Sequence, residues 1–298
     1  MNINKANNFN NIAVIPNEKK DPLFYNTKNL INYLSEKKVN IYTEKIYQNK
    51  IFASDDFNAT VNYVSEDDLY NICNLLIVLG GDGTILKIAS KAAVFDIPVI
   101  GVNLGRIGFM SEIESDEIHL LDNLFFGSYN IEKRMMFDVE IIKSDGVIKY
   151  VGSALNDAVI TGALARLIEI DLVCDGTKIT HYRADGVIIA TPTGSTAYSM
   201  SAGGPIVDPM FELILMTPVC PHTLFSRSLI FSPDVKLTVK VKSSGGDKVR
   251  LSVDGDTQLD IGIESDITIT KAPVFAKLLD MGENDFYETL NAKIAGRI

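Results

Sequence analysis

The chain has 298 residues and a formal net charge of −10, from 28 Lys and Arg against 38 Asp and Glu. That length favours two cores over one. The acidic balance argues against a general nucleic-acid surface or an anionic-membrane surface, so an anionic ligand has to be met by a local pocket.

In chain order, Asn11–Pro16 reads as a strand, Asp21–Lys37 as an amphipathic helix, and Val39–Tyr42 and Leu75–Leu79 as strands. Gly80-Gly81-Asp82-Gly83-Thr84 follows as a turn, then a helix over Thr84–Phe95, a strand at Pro98–Val102 and a helix over Asp116–Phe126. Alternating β and α elements predict a parallel sheet covered by helices, with ligands at the carboxyl ends of the strands. The texture changes near Phe137, where hairpin signals recur at Ser144-Asp145-Gly146, Asp175-Gly176, Gly245-Gly246 and Asp254-Gly255. That half reads as mostly β, a sandwich or closed sheet, with helix only at Thr196–Ala202 and near the chain's end. No apolar run approaches the roughly 18–20 residues of a membrane span, and Met1–Asn8 is polar without an apolar signal core. Cys73, Cys174 and Cys220 are far apart, odd in number and without CxxC spacing, and read as core thiols in a reducing compartment. The expectation is a cytoplasmic protein.

Three segments hold residues suited to chemistry. In Gly80–Thr84 the glycines let backbone amides approach a phosphate, while Asp82 would repel one unless it holds a metal, bonds a ribose or accepts a hydroxyl proton. A helix-capping turn is the plainer alternative. Thr191–Ser199 places six hydroxyl residues beside Gly194 at a strand end, where amides and hydroxyls can meet a phosphate or ribose and Tyr198 can lie against a base. A Ser/Thr-rich turn explains the same composition. Asn156-Asp157 offers an amide for an adenine edge beside a carboxylate for a ribose diol, or simply a turn. Other site types lack their residues: Leu86 replaces the third glycine of a dinucleotide fingerprint, no Walker A loop is present, and His119, His181 and His222 have no partners at metal-ligand spacing.

Assembled in order, Gly80–Thr84, Gly101–Phe109, Leu155–Asp157, Tyr182–Gly186, Thr191–Pro205 and Pro221–Leu224 give the chain a resemblance to the NAD kinase family. GGDGT alone is shared with lipid kinases and has a relative in phosphofructokinases. TPTGSTAYSMSAGGP is far more specific. The resemblance implies an N-terminal α/β, Rossmann-like domain over 1–134, with about 278–298 packing back on it, and a mostly-β NAD-binding domain over 135–277, the active site lying between them. It implies phosphoryl transfer from ATP or polyphosphate to the 2′-hydroxyl of the adenosine ribose of NAD, giving NADP, with Mg²⁺ as the divalent metal and Asp82 as catalytic base. By the same likeness Gly83 and Lys87 face phosphate, although a solvated helix lysine is nearly as good a reading of Lys87. Asn156 and Asp157 hold the adenosine portion, Arg183 and Asp185 lie along the dinucleotide, and Thr196, Ala197, Tyr198 and Ser201 line the adenosine pocket. Arg183 as a surface ion-pair residue and Ser201 as a solvent-facing helix residue are the alternatives. No metal-ligating residue, nucleic acid or membrane is implied, and a homodimer or homotetramer is. Ala184 and Asp256 depart from the family pattern, so Asp256 is left out of the site. The rival readings are a lipid kinase using the same turn and a dinucleotide sensor without turnover.

Overall fold

The computed structural model describes residues 9–51, 59–105, 108–142, 146–162, 167–223, 226–244, 249–263, 265–282 and 285–296. Arg106 and Ile107 of Gly101–Phe109, Leu224 of Pro221–Leu224, and the turn signals at Ser144-Asp145 and Gly245-Gly246 lie outside the described residues. The chain divides into two compact units, Met1–Lys133 with Ala276–Ile298, and Arg134–Phe275.

In the first unit, β1 (Asn11–Ile15), β2 (Asn40–Glu44), β3 (Asn62–Val64), β4 (Leu75–Gly80) and β5 (Val99–Asn103) form a parallel sheet in the order β5-β4-β1-β2-β3, with β6 (Ile113–Glu114) beside β5. The helices are α1 (Tyr25–Ser35), α2 (Gln48–Ile51), α3 (Glu66–Ile72), α4 (Asp82–Val94) and α5 (Asp122–Phe126). Every residue of β4 is buried, as a strand covered on both faces requires. Ile12, Val14, Leu75 and Ile77 of the sheet share a core with Leu30, Ile31 and Leu34 of α1. From β1 the chain builds β2 and β3 on one side and then returns to β4 on the other. The topological switch point therefore lies between the carboxyl ends of β1 and β4, where open α/β sheets bind ligands.

Three helices differ from the sequence expectation. The run Asp21–Lys37 is split: Pro22–Phe24 is a single 3₁₀ turn with Leu23 and Phe24 at positive φ (61° and 55°), and α1 starts only at Tyr25. The cause is Asp21, fully buried, whose carboxylate accepts from the Asn26 and Thr27 amides and so fixes the entry into α1. In Asp116–Phe126 a 3₁₀ turn over Ile118–Leu121 precedes α5, which stops at Gly127 with φ 73°. The helix expected from Thr84 begins two residues earlier, because the Gly81 carbonyl already accepts from Thr84 N and Ile85 N. Asp82 is thereby the first residue of α4.

The second unit takes most of β7 (Asn130–Ile142), then β8 (Ile148–Ala154), β9 (Asp157–Gly162), β10 (Ile168–Cys174), β11 (Thr177–Ala184), β12 (Gly186–Ala190), β13 (Ile214–Val219), β14 (Leu229–Phe231), β15 (Leu237–Ser244), β16 (Val249–Val253), β17 (Thr257–Ile261) and most of β18 (Asp266–Asp280). One sheet runs β14-β13-β12-β9-β16-β17; the other contains β11-β10-β15-β18, with β7 paired to β18 and to β8. Ile160, Val187 and Leu251 from the first sheet and Phe137, Ile170, Val239 and Ile269 from the second fill one core, the interior of a sandwich. Asp175 and Gly176, and Asp254 and Gly255, all have positive φ and turn hairpins as their sequence predicts, the first a two-residue loop between Cys174 and Thr177 and the second a three-residue loop that also takes in Asp256. The helix expected over Thr196–Ala202 is a 3₁₀ turn at Thr193–Thr196 followed by the four-residue α6 (Tyr198–Ser201). The remaining helix, α7 (Phe286–Ile294), belongs to the first unit.

The division into a helix-covered parallel sheet and a mostly-β unit is the fold class expected from the sequence. The cysteines are a correction: all three are free, but only Cys73 is buried, Cys174 is half-buried and Cys220 is exposed. Cys220 follows β13 at φ 44°, in the left-handed turn that ends the strand, with its side chain exposed there.

Candidate active site

Residues with site chemistry gather in two places, one in each unit. In the first unit β4 delivers Gly80 and Gly81 at its carboxyl end, and Asp82 opens α4. The half-exposed carboxylate of Asp82 accepts from the amides of Phe109 (2.9 Å) and Met110 (3.2 Å), and Lys293 Nζ stands 3.8 Å away. Lys293 comes from α7 and lies 3.9 Å from the centre of the Phe109 ring, which also packs against Phe286. A Cβ on Gly108 would overlap the Asp82 carboxyl group, so glycine at 108 is what lets the chain pass close enough for its amides to reach the acid. Asn103, at the end of β5, donates through Nδ2 to the Gly105 carbonyl and the Glu114 carboxylate, while its buried Oδ1 has no partner among the described residues. Gly83 has open space where a side chain would stand, so nothing in the fold demands glycine there. Lys87 is exposed one turn further along α4.

In the second unit a cavity of about 440 Å³ is lined by Asn156, Asp157, Ala197, Tyr198, Asp254 and Gly255, among others. Asp254, from the β16–β17 hairpin, accepts from three consecutive backbone amides, those of Leu155 (2.9 Å), Asn156 (2.8 Å) and Asp157 (3.0 Å). From the other side, Thr191 N donates to the Asn156 carbonyl (2.9 Å) and Thr191 Oγ1 to the Leu155 carbonyl. Gly194 lies so close to Asn156 that a Cβ there would overlap the Asn156 carbonyl oxygen. The Asn156-Asp157 pair is thus clamped between a hairpin and the Thr191–Gly194 turn. Tyr198 is 45% exposed, its ring free for a flat ligand.

Burial pushes the Asp157 carboxyl up to about 7, with the neighbouring Asp254 charge adding to it. Between its unfolded value near 3.8 and about 7, the folded protein keeps a proton that the unfolded chain has released. This group therefore lowers stability progressively as pH rises through that window, and the full penalty stands above pH 7. Asp157→Asn is expected to raise the unfolding free energy by a few kcal/mol above pH 7, an advantage that fades below about pH 4. Urea midpoints across pH 4–8 check this, and parallel curves for the two proteins would refute it.

The structure brings Asn156, Asp157, Ala197 and Tyr198 together, while Thr196, Arg183, Asp185 and Ser201 lie outside the lining of that cavity. Arg183 and Ser201 are exposed and Asp185 is half-buried. The hydroxyls of Thr191–Ser199 face mostly inward. Ser195 exchanges bonds with Val207, Thr196 donates to the Thr193 carbonyl, and Ser199 pairs with Thr217, so these side chains build the turn. His222 N donates to the Arg183 carbonyl, which ties the turn after β13 to the end of β11. Sequence reading missed Asp254, Gly108 and Lys293. Asp254 had a usable signal, a carboxylate in a positive-φ hairpin position that Asn or Gly could fill equally well.

Two family models match, the ATP-NAD kinase N-terminal domain over residues 12–129 and the ATP-NAD kinase C-terminal domain over residues 155–281. An NAD kinase of Thermoanaerobacter sp. (strain X514) is 39% identical over 289 residues, covering 96% of this chain and 99% of that protein. One of Caldanaerobacter subterraneus subsp. tengcongensis is 39% identical over 293 residues, with the same coverage. Among solved structures, yeast NADH kinase complexed with NADH matches with a TM-score of 0.86 at 29% identity, over 96% of this chain and 88% of that one. An Archaeoglobus fulgidus NAD kinase in complex with ATP shares the fold, with a TM-score of 0.69 at 24% identity over 96% and 98% of the two chains.

Proposed function

The chain belongs to the NAD kinase family and is a phosphotransferase acting on NAD with ATP as co-substrate, and from that premise we propose which of its residues do the work. Asp82 accepts the proton of the 2′-hydroxyl of the adenosine ribose as that oxygen bonds to the transferred phosphorus, giving NADP. The observation behind this is the Asp82 carboxylate itself, held at the head of α4 by the Phe109 and Met110 amides and still half-exposed. Phosphoryl transfer depends mainly on positioning and charge neutralisation, so a fixed carboxylate need only take one proton. Asn156 and Asp157 hold the adenosine portion, with Tyr198 against the base and Ala197 on the pocket wall. Gly83, Lys87, Thr196, Arg183, Asp185 and Ser201 belong to the same reading by family likeness.

Mg²⁺ would be held by the phosphates of the donor together with one or two protein oxygens. The donor set fits: Asn103 Oδ1, at the end of β5, is a hard oxygen without a partner among the described residues. When bound, the ion would neutralise charge on the transferred phosphoryl group. Polyphosphate is proposed as an alternative donor. No helix among the described residues is long and apolar enough to cross a membrane. A cytoplasmic homodimer or homotetramer is the form we propose, and three free thiols suit a reducing compartment. The reaction is tested by incubating purified protein with NAD, Mg²⁺ and either ATP or polyphosphate, and reading NADP with an NADP-specific dehydrogenase. A folded sample that makes none with either donor would refute it.

A further inference from the structure

We propose that Lys20 binds the polyphosphate chain of the phosphoryl donor. The residue lies in the loop after β1, and Gly81 in the turn after β4, so both belong to the switch point of the sheet, where a ligand crevice opens. The Lys20 side chain crosses that crevice. A Cβ on Gly81 would overlap its ammonium, and a Cβ on Gly105, just beyond β5, would stand 3.6 Å from it. Two glycines from adjacent strand ends therefore make the hollow in which the charge rests. The loop is tied to the same place, because Lys20 N donates to the Asn17 carbonyl (3.0 Å) and Asn17 Nδ2 donates to Thr84 Oγ1 in the first turn of α4 (2.8 Å).

The placement sets a positive side chain at a positive helix end, where the acid of the first turn is Asp82. An ammonium beside the amino end of a 13-residue helix meets the positive end of its dipole. Among the described residues no carboxylate pairs with Lys20, although the chain carries ten more acidic than basic residues and Glu18, two positions away, is paired with Lys50 of α2 at 2.6 Å. A polyanion laid across the Gly81 turn would answer the ammonium and the helix end together, and its chain of phosphates is long enough to meet both. Of the two substrates, the donor carries the triphosphate.

The assignment rests on the kinase reading, and the test separates the two. With NAD saturating and ATP varied, Lys20→Met is expected to raise KM for ATP about 10- to 100-fold, the usual effect of losing one charged hydrogen bond. KM for NAD should stay within about two-fold, and Lys20→Arg should restore part of the loss. Lys19→Met, which removes the same charge from the neighbouring exposed position, should behave as wild type. Calorimetric titration with inorganic triphosphate supplies a readout without turnover, and Lys20→Met should weaken that binding by a similar factor. Unchanged KM for ATP, or a rise confined to KM for NAD, overturns the assignment. If wild-type protein makes no NADP, the reaction is wrong, and the triphosphate titration still decides the role of Lys20.

Discussion

Asp82→Asn is expected to lower the rate of NADP formation about 10²-fold or more while NAD still binds, the range seen when a general base is lost. The substitution is nearly isosteric and leaves one carbonyl oxygen to accept from the Phe109 and Met110 amides, which now hold the two carboxylate oxygens. The local fold should therefore survive, and a matching thermal melt would confirm that the loss is chemical. What the amide cannot do is take the hydroxyl proton. A fall in kcat with KM for NAD nearly constant is the signature expected of a group that acts in the transition state. Full turnover by the variant would remove Asp82 from the role of base and leave it a structural residue of the turn.

Asp254→Ala is expected to be the most damaging change in the second unit. It strips the acceptor from three amides, at Leu155, Asn156 and Asp157, and places alanine at φ 50°, which aspartate and asparagine tolerate better. Relief of the repulsion with Asp157 offsets part of the loss. A net destabilisation of roughly 2–4 kcal/mol follows from unpaired, partly buried amides, read as a lower urea midpoint, together with weakened NAD binding. Asp254→Asn keeps the backbone preference and one acceptor oxygen, so it should cost about half as much. A wild-type midpoint for the alanine variant would mean that water replaces the carboxylate.

How far the sequence exposes these features depends on their range. The parallel strands were legible because each is a short, uninterrupted apolar run such as Leu75–Leu79, and burial on both faces leaves no alternation to confuse. The hairpins at Asp175-Gly176 and Asp254-Gly255 were legible because positive φ at two successive residues demands that chemistry. Asp82, Asn156 and Asp157 stood out by type and neighbours. The second task of Asp254 did not, since its partners are 97 to 99 positions away and a hairpin reading already accounted for it. Nor can composition say which way a hydroxyl points: Ser195 and Ser199 look like phosphate ligands in the sequence and are internal braces in the fold. Lys20 was invisible for a related reason, as its meaning comes from glycines on two other strand ends.

The carboxyl pair at Asp157 and Asp254 has a consequence for how ligand binding is measured. Near pH 7 Asp157 is poised between its two charge states. Ribose hydroxyls that donate to it favour the ionised state, so ligand uptake should expel a fraction of a proton into the medium. The heat of NAD binding would then differ between phosphate and Tris buffers at the same pH, in proportion to their ionisation enthalpies, and the difference should vanish in Asp157→Asn. A binding enthalpy quoted from one buffer would mix recognition of the dinucleotide with titration of the pocket.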